Sequence, residues 1–271
     1  MISLTDDNTM LGYGLLNACP NISHFVTTRH GGCSQGRYGT FNCSPYTADE
    51  AECVCRNQQL LLERLHQPVA ELIIPRQCHG TTCRMVDEQY GNMSADERKV
   101  FLEGVDALIT ACRGYCICVT TADCVPVLLY DGRSQVVAAV HAGWRGTVRR
   151  IVSKVLEQMK CVYGTKGEDL VACIGPSISL RSFEVGEEVY GQFADEGFDM
   201  ASISCRNAQT GKHHIDLWEA NRRQLMDFGV PASRIEVAGV CTYRHHSDFF
   251  SARRLGVDSG RILSGIMLNE S

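Results

Sequence analysis

Residues 121–147 read TADCVPVLLYDGRSQVVAAVHAGWRGT, and this stretch decides the fold. Two apolar runs, 125–130 and 135–140, flank the polar turn Asp131-Gly132-Arg133-Ser134. Apolar runs on either side of a glycine-containing turn are typical of a β-hairpin, whose outer ends lie side by side. Cys124 and His141 stand just outside the two runs, so we predict that they are neighbours in space although 17 positions separate them.

A second histidine, in the segment Gln77-Cys78-His79-Gly80, completes a set of metal ligands. Zinc prefers thiolate and imidazole, and a catalytic zinc usually has three protein ligands and one open position. Each residue alone also fits a structural role, since cysteine is often buried as a small apolar residue. Together they predict a zinc site at His79, Cys124 and His141, and the same ligand types also bind copper.

The segment Gly143-Trp144-Arg145-Gly146-Thr147 leads from the predicted strand end into a predicted helix. Free backbone N–H groups and the helix dipole favour an anion at such a position, and phosphate is the anion we expect. Arg145 is a predicted binding residue because a guanidinium contacts phosphate in a bidentate way. A surface arginine beside a packed Trp144 is the alternative.

Composition restricts the class of protein. The chain has 271 residues, 44% of them hydrophobic, and no linker or low-complexity tract divides it, so we expect one domain over residues 1–271. The net charge is −5, and Lys and Arg are scattered along the chain. This pattern argues against nucleic acid or an anionic membrane as partner and favours a small-molecule substrate.

Cysteine usage and hydropathy predict a cytoplasmic protein. The chain has 15 cysteines, an odd number, and none is spaced as a CxxC pair. A reducing compartment is the natural setting for so many unpaired thiols. The first ten residues are polar and acidic, unlike a signal peptide, and no apolar stretch approaches the 18 residues that a membrane span needs.

Strand-like and helix-like segments alternate along the chain, and hairpins are mixed with strand-to-helix connections. This mixture predicts an α/β fold with mixed sheets, doubled and covered by helices. The predicted strands are 24–28, 72–74, 82–86, 107–109, 116–120, 125–130, 136–140, 170–174, 235–240 and 262–268. The predicted helices are 48–65, 147–163, 183–194 and 216–228, the last with Asp216 as N-cap and Gly229 as its end.

Several sequence blocks, spread over almost the whole chain, resemble one known family. It is called YfiH-like, peptidoglycan editing factor or polyphenol oxidase laccase. The blocks are Thr28-Arg29-His30-Gly31-Gly32-Cys33-Ser34 with Asn42, Gln77-Cys78-His79-Gly80, Gly104-Val105-Asp106-Ala107, Thr121-Ala122-Asp123-Cys124-Val125-Pro126, His141-Ala142-Gly143-Trp144-Arg145-Gly146, Ile174-Gly175-Pro176-Ser177-Ile178, and Cys241-Thr242 with Phe250-Ser251-Ala252-Arg253-Arg254.

This resemblance implies a four-layer α/β/β/α sandwich, shared in outline with the cysteine hydrolase domain of a bacterial toxin. It implies catalysis at a metal site of His79, Cys124 and His141. The implied reactions are phosphorolysis of adenosine, inosine and S-methyl-5′-thioadenosine, with adenosine deamination as a second activity. Purine nucleoside and phosphate are then the expected partners, and Arg29 and Asn42 are predicted substrate contacts. For these two, a structured glycine turn with a capping asparagine is the alternative.

Three other functions remain open from the sequence. A metal-free cysteine hydrolase, acting in peptidoglycan precursor editing, would use Cys124 and His141 as a thiolate–imidazolium pair. A copper-dependent polyphenol oxidase would need many imidazoles, often as His-x-His pairs, whereas this chain has nine histidines and no such pair. A binding protein with a structural zinc would need a fourth protein ligand, for which the sequence offers only His245 and His246.

Overall fold

The computed structural model describes residues 1–270. Strands and helices alternate along it, as the sequence predicts. The strands are β1 (Ile2–Ser3), β2 (Met10–Gly12), β3 (Ile22–Thr27), β4 (Glu71–Ile73), β5 (Cys83–Met85), β6 (Ala107–Thr110), β7 (Tyr115–Thr121), β8 (Val125–Asp131), β9 (Val136–Ala142), β10 (Leu170–Ile174), β11 (Glu184–Val185), β12 (Ser204–Arg206), β13 (His213–Ile215), β14 (Ile235–Val237) and β15 (Ile262–Leu268).

The helices are on average short, and two of them exceed twelve residues. They are α1 (Gly14–Asn17), α2 (Ala51–Arg64), α3 (Glu88–Asn92), α4 (Ala95–Phe101), α5 (Trp144–Val148), α6 (Ile151–Tyr163), α7 (Glu187–Asp195), α8 (Met200–Ile203), α9 (Leu217–Asp227) and α10 (Ala252–Leu255).

Two six-stranded sheets form the centre of the molecule. The first has the strand order β1-β2-β3-β15-β7-β4, and the second has the order β14-β10-β8-β9-β6-β5. Both are mixed, since β4 pairs in parallel with β7, β5 with β6, and β10 with β14, while their other pairs are antiparallel. A small sheet, β11-β13-β12, lies beside them.

Three apolar clusters hold four layers together. One fills the space between the sheets, with Leu128 and Ala139 from the second sheet packed against residues such as Ile117 from the first. A second lies between the second sheet and helices α6 and α9, and a third joins the first sheet to α2. The layers are therefore α2, first sheet, second sheet, and α6 with α9, which confirms the predicted α/β/β/α sandwich.

The predicted hairpin is present as β8 and β9. Every residue of both strands is buried, because the second sheet is covered by helices on one face and by the first sheet on the other. The turn between them is fixed by Asp131, whose Oδ1 accepts hydrogen bonds from the N–H groups of Arg133 and Ser134, both at 2.9 Å. Helix α9 likewise begins at its predicted N-cap, Asp216, whose carboxylate accepts from Glu219 N.

Two predicted helices differ from the structure. The segment 147–163 is not one helix, because Arg150 has a left-handed backbone (φ +58°) and separates α5 from α6. The segment 183–194 begins with strand β11, and α7 starts only at Glu187. Apolar periodicity continues across both junctions, so the pattern alone does not reveal where hydrogen bonding to the preceding turn stops.

Two further findings concern the setting of the molecule. Within the described residues 1–270, no helix combines the length and the apolar content that crossing a bilayer requires. All the cysteines found in that range are unpaired.

Candidate metal centre

The fold brings the three predicted ligands together. One ligand atom each from His79, Cys124 and His141 can be chosen so that all three lie within 4.8 Å of one another. His79 is exposed, whereas His141 is only 2% exposed. The two imidazole rings meet edge to face, with centroids 4.9 Å apart.

The hairpin and one loop supply these side chains. In the β8–β9 register, Pro126 pairs with His141 and Val125 with Ala142, which places Cys124 beside the end of β9. The loop that carries His79 is tied to β7 through Gln77. The Gln77 side chain donates to Thr120 O (2.8 Å) and accepts from Thr120 N (2.7 Å).

Asp106, at the start of β6, orients the site from behind. It is fully buried, and its Oδ1 lies 2.7 Å from His141 Nδ1 and accepts from His79 N at 2.9 Å. Its Oδ2 accepts from Gly80 N at 2.7 Å. Burial would raise the pKa of Asp106, but the hydrogen bond and charge of His141 and the Gly80 N–H keep it below its ordinary value. Because a carboxylate accepts the Nδ1 proton, Nε2 of His141 is left free for a metal.

The backbone on both sides of the site is strained and held in place. His79 (φ +61°) and Asp123 (φ +85°) both have left-handed conformations, which non-glycine residues rarely adopt. Asp106 fixes the conformation of His79 by accepting hydrogen bonds from the N–H groups of His79 and Gly80. Asp123 is fixed by its own carboxylate, which accepts from Thr242 Oγ1 at 2.6 Å and from Arg253 N at 2.7 Å.

Gly143 allows the backbone to approach the ligands closely. A Cβ atom at this position would lie 3.0 Å from His79 Cδ2 and 3.1 Å from Cys124 Sγ. A side chain here would therefore push two of the three ligand groups back by a few tenths of an ångström. Limited space, rather than the backbone angles, favours glycine at this position.

The residues present fit a zinc ion. In a tetrahedral site with bond lengths of roughly 2.0–2.3 Å, ligand atoms lie about 3.3–3.8 Å apart, a distance that a small inward movement would reach. A histidine ligand whose second nitrogen is bonded to a carboxylate is the usual arrangement at zinc, and His141 with Asp106 has it. Among residues 1–270 this group contains three ligand residues and no fourth, which is the composition of catalytic rather than structural zinc sites.

His245 and His246 do not supply the fourth ligand. His245 lines a different cavity, together with Trp218 and Arg244. The carbonyl of His246 accepts a hydrogen bond from Arg29. The structure therefore gives no support to a closed structural zinc site.

Charge couples Cys124 to His141. Burial alone would raise the pKa of Cys124, but the charge and hydrogen bond of His141, with a further hydrogen bond from His79, lower it to about 6. Burial alone would lower the pKa of His141, but the Cys124 thiolate and the Asp106 carboxylate raise it to about 9. The metal-free site thus favours a thiolate–imidazolium pair at neutral pH.

We expect Cys124 of the metal-free protein to be alkylated by iodoacetamide with a half-maximal rate near pH 6. An ordinary thiol reaches its half-maximal alkylation rate near pH 8.5.

The same pKa shifts affect stability. A lowered thiol pKa contributes stability that is present above the unfolded-state pKa and is lost as pH falls through about 6. The raised pKa of His141 contributes stability that is lost as pH rises through about 9. The thiolate–imidazolium pair is therefore intact between these values.

Peptide mass spectrometry would follow Cys124 separately from the other thiols. The same peptide in the unfolded chain is the control, and added zinc should protect the folded protein. A midpoint near pH 8.5 in both states would contradict the ion pair.

The ligands lie at a cavity of about 260 Å³. Its lining also includes Tyr46, Thr121, Val257 and Arg261. Tyr46 is 43% exposed, and its hydroxyl donates to Ile74 O at 3.1 Å.

The three predicted substrate contacts lie outside this lining. Arg29 donates to the carbonyls of Gly39 and His246, both at 2.8 Å. Asn42 is buried and bonds to Thr47 and Asp49. Arg145 is exposed, and its guanidinium stacks 4.5 Å from the centre of the Trp144 ring.

Asp106, Thr121, Tyr46 and Arg261 were missed as site residues by sequence reasoning. Asp106 and Thr121 lie inside blocks that carry the family resemblance, so that signal was available for them. Tyr46 and Arg261 lie outside these blocks, so no such signal was available for them. Arg261 reaches the cavity because it directly precedes β15, which pairs with β7.

This geometry defines the chain as a double-sheet α/β protein with a thiolate and imidazole site at a cavity. The chain belongs to the family described as multi-copper polyphenol oxidoreductase laccase, whose pattern matches residues 23–269. The resemblance seen in the sequence is thereby confirmed.

Named relatives and a solved structure agree with this assignment. A purine nucleoside phosphorylase of Bacteroides thetaiotaomicron is 60% identical over 270 residues, covering 100% of each chain. Adenosine deaminase RL5, from an unknown prokaryotic organism, is 42% identical over 90% of this chain and 93% of its own. The crystal structure of the hypothetical protein YfiH of Bacillus licheniformis superposes with a TM-score of 0.87 at 26% identity, covering 96% of this chain and 97% of that one.

Proposed function

We propose that the protein is a zinc-dependent purine nucleoside phosphorylase with adenosine deaminase as a side activity. The observation that carries the proposal is the three-ligand site of His79, Cys124 and His141 at a cavity. The names of the 60% and 42% identical relatives support the two reactions. Adenosine, inosine and S-methyl-5′-thioadenosine are the proposed nucleosides.

The reaction has a simple balance. A phosphate oxygen forms a bond to C1′ of the ribose as the bond from C1′ to N9 of the purine breaks. The electron pair of that bond leaves with the base, which takes up the proton that the attacking hydrogen phosphate gives up, and ribose 1-phosphate remains. When bound, zinc supplies Lewis-acid stabilisation of developing negative charge.

The chain's own residues orient and enclose the reactants. Asp106 holds the proton on His141 Nδ1 and fixes the His79 loop, so the ligand set is preorganised. Tyr46, an exposed residue in the cavity lining, offers an aromatic ring against which a purine can stack. Gln77 and Gly143 keep the loop and the helix start close against the ligands.

One observation favours a second candidate, a metal-free cysteine hydrolase. Asp106, His141 and Cys124 form a carboxylate–imidazole–thiol series, in which the His141–Asp106 distance is 2.7 Å. This is the order of groups in a cysteine nucleophile activated by an oriented histidine. Its substrate would be an amide, and peptidoglycan precursor editing would be its cellular role.

A copper polyphenol oxidase has less support from the residues. That chemistry uses a blue-copper centre together with a three-copper cluster, and therefore many more imidazoles. Within residues 1–270 one group of histidine and cysteine ligands is found, with two histidines. The ligand set itself also accepts copper, so the metal should be measured directly.

Product analysis tests the proposal. Zinc-quantified protein is incubated with adenosine, with and without inorganic phosphate, and the products are separated by chromatography. We expect adenine and ribose 1-phosphate only when phosphate is present, and inosine independently of phosphate. If fully zinc-loaded protein gives neither adenine nor inosine, the proposal is wrong, and amide substrates would be tested next.

A further inference from the structure

The cavity at the metal ligands contains one strong cation. Among the described residues that line it, Arg261 is the single Lys or Arg. A phosphate dianion bound there would be stabilised by this cation.

The guanidinium of Arg261 is held in place and still has free donors. Its Nη1 donates to the carbonyls of Ser259 and Gly260, and its Nη2 donates to Val257 O at 2.8 Å. Within residues 1–270 these carbonyls are its side-chain partners, and no carboxylate pairs with it. The Nε–H and one N–H of Nη2 have no partner among the described residues. An arginine side chain can donate from Nε and Nη2 in parallel to two oxygens of a phosphate.

Thr121 adds a hydroxyl without a partner. Its side chain is 2% exposed and lines the same cavity, and its Oγ1 has no hydrogen-bond partner among residues 1–270. Thr121 pairs directly with Ile262 on the neighbouring antiparallel strand, one residue beyond Arg261. The hydroxyl oxygen itself has almost no exposed surface, so a turn of the Thr121 side chain toward a polar ligand in the cavity would give it the hydrogen bond that it lacks.

Asn42 fixes the position of Arg261 from the protein interior. Its Oδ1 accepts from the backbone N–H of Arg261 at 3.1 Å, while its Nδ2 donates to Thr47 and Asp49. Asn42 is therefore a positioning residue that acts through Arg261. This gives a physical role to a residue that the sequence nominated as a substrate contact.

We propose that Arg261 and Thr121 form the subsite for inorganic phosphate. Two phosphate oxygens accept from Nε–H and Nη2–H of Arg261, and one accepts from the Thr121 hydroxyl once that side chain turns toward the cavity. This places the phosphate beside the metal ligands rather than at Arg145, which is exposed on Trp144. The inference rests on the proposed phosphorolysis, and it assigns the cation that the reaction needs.

Direct phosphate binding and steady-state kinetics test the subsite. Zinc-loaded wild-type protein and the variants Arg261→Gln, Arg261→Lys, Thr121→Val and Arg145→Gln are titrated with inorganic phosphate by calorimetry. KM is then measured separately for phosphate and for the nucleoside. We expect Arg261→Gln to raise the Kd and KM for phosphate roughly 30-fold and Thr121→Val roughly 5-fold, with a much smaller change in the nucleoside KM. Arg261→Lys keeps the charge but not the paired donors, so its effect should fall between these.

Thr121→Val keeps the test valid if loss of Arg261 loosens the 257–260 loop. The valine is nearly isosteric, and the hydroxyl that it removes has no partner in the protein, so folding should not suffer. Arg149→Gln, at an exposed position outside the cavity, controls for loss of a positive charge.

Three results would overturn the subsite. They are an equal rise in both KM values, unchanged phosphate binding in Arg261→Gln and Thr121→Val, or a rise in phosphate KM confined to Arg145→Gln. Failure of the proposed function gives a different result, since wild-type protein would then form no ribose 1-phosphate. Calorimetry would still decide in that case whether Arg261 and Thr121 bind phosphate.

Discussion

Cys124→Ala is expected to lose its zinc and nearly all phosphorolysis. The variant keeps two imidazole ligands and loses the only thiolate of the set. Loss of a ligand's supporting residue typically weakens metal binding 10–100-fold, so loss of the ligand itself should exceed about 100-fold. Several kcal/mol of charge stabilisation go with the metal, which is on the order of 10³-fold in rate. Metal analysis after dialysis and kcat/KM for adenosine measure the two effects.

The matched control is Cys161→Ala, which removes an exposed thiol from α6. It should retain stoichiometric zinc and wild-type turnover. Chelation followed by zinc addition separates the two candidate functions. A metal-free cysteine hydrolase would lose activity in Cys124→Ala but keep it after chelation, whereas the phosphorylase should lose it in both and recover only when the chelated protein receives zinc. Full zinc content and activity in Cys124→Ala would refute both mechanisms.

The hairpin could be predicted because burial on both faces leaves a clear sequence signal. Strands β8 and β9 are continuous apolar runs around a turn that Asp131 fixes. That turn determines the register, and the register makes Cys124 and His141 neighbours. Here a local sequence pattern determines a long-range contact, so the sequence was sufficient to predict that Cys124 and His141 are neighbours.

The surroundings of the ligands depend on contacts that have no local pattern. Arg261 reaches the cavity because β15 pairs with β7, although more than a hundred residues separate Arg261 from Thr121 in sequence. Arg145 has the sequence context of an anion site, but stacking on Trp144 directs its guanidinium to solvent. A motif therefore predicted which residue types are present near the site but not which guanidinium lines the cavity.

Asp106→Asn is expected to weaken zinc binding roughly 10–100-fold and to destabilise the protein by about 3–5 kcal/mol. The carboxylate of Asp106 faces donors on both sides, His141 Nδ1 and His79 N at one oxygen and Gly80 N at the other. An amide has one acceptor and one NH₂ group, so either orientation places a donor against an N–H. If the NH₂ faces His141, the imidazole proton must move to Nε2, which removes the lone pair that a metal needs.

The control for this variant is Asp131→Asn, in the same sheet. Asp131 is also fully buried, but one of its oxygens accepts both turn N–H groups and the other has no partner among the described residues. An asparagine can therefore keep the bonds of Asp131, and zinc affinity should not change. Zinc titration with a competing chelator and urea unfolding of the metal-free proteins compare the two variants. Equal zinc affinity in both would show that Asp106 does not orient His141. Weaker zinc binding in Asp106→Asn alone would show that the carboxylate determines which imidazole nitrogen of His141 faces the metal. The position of Asp106, directly before β6, would then be required for the ligand set to bind zinc.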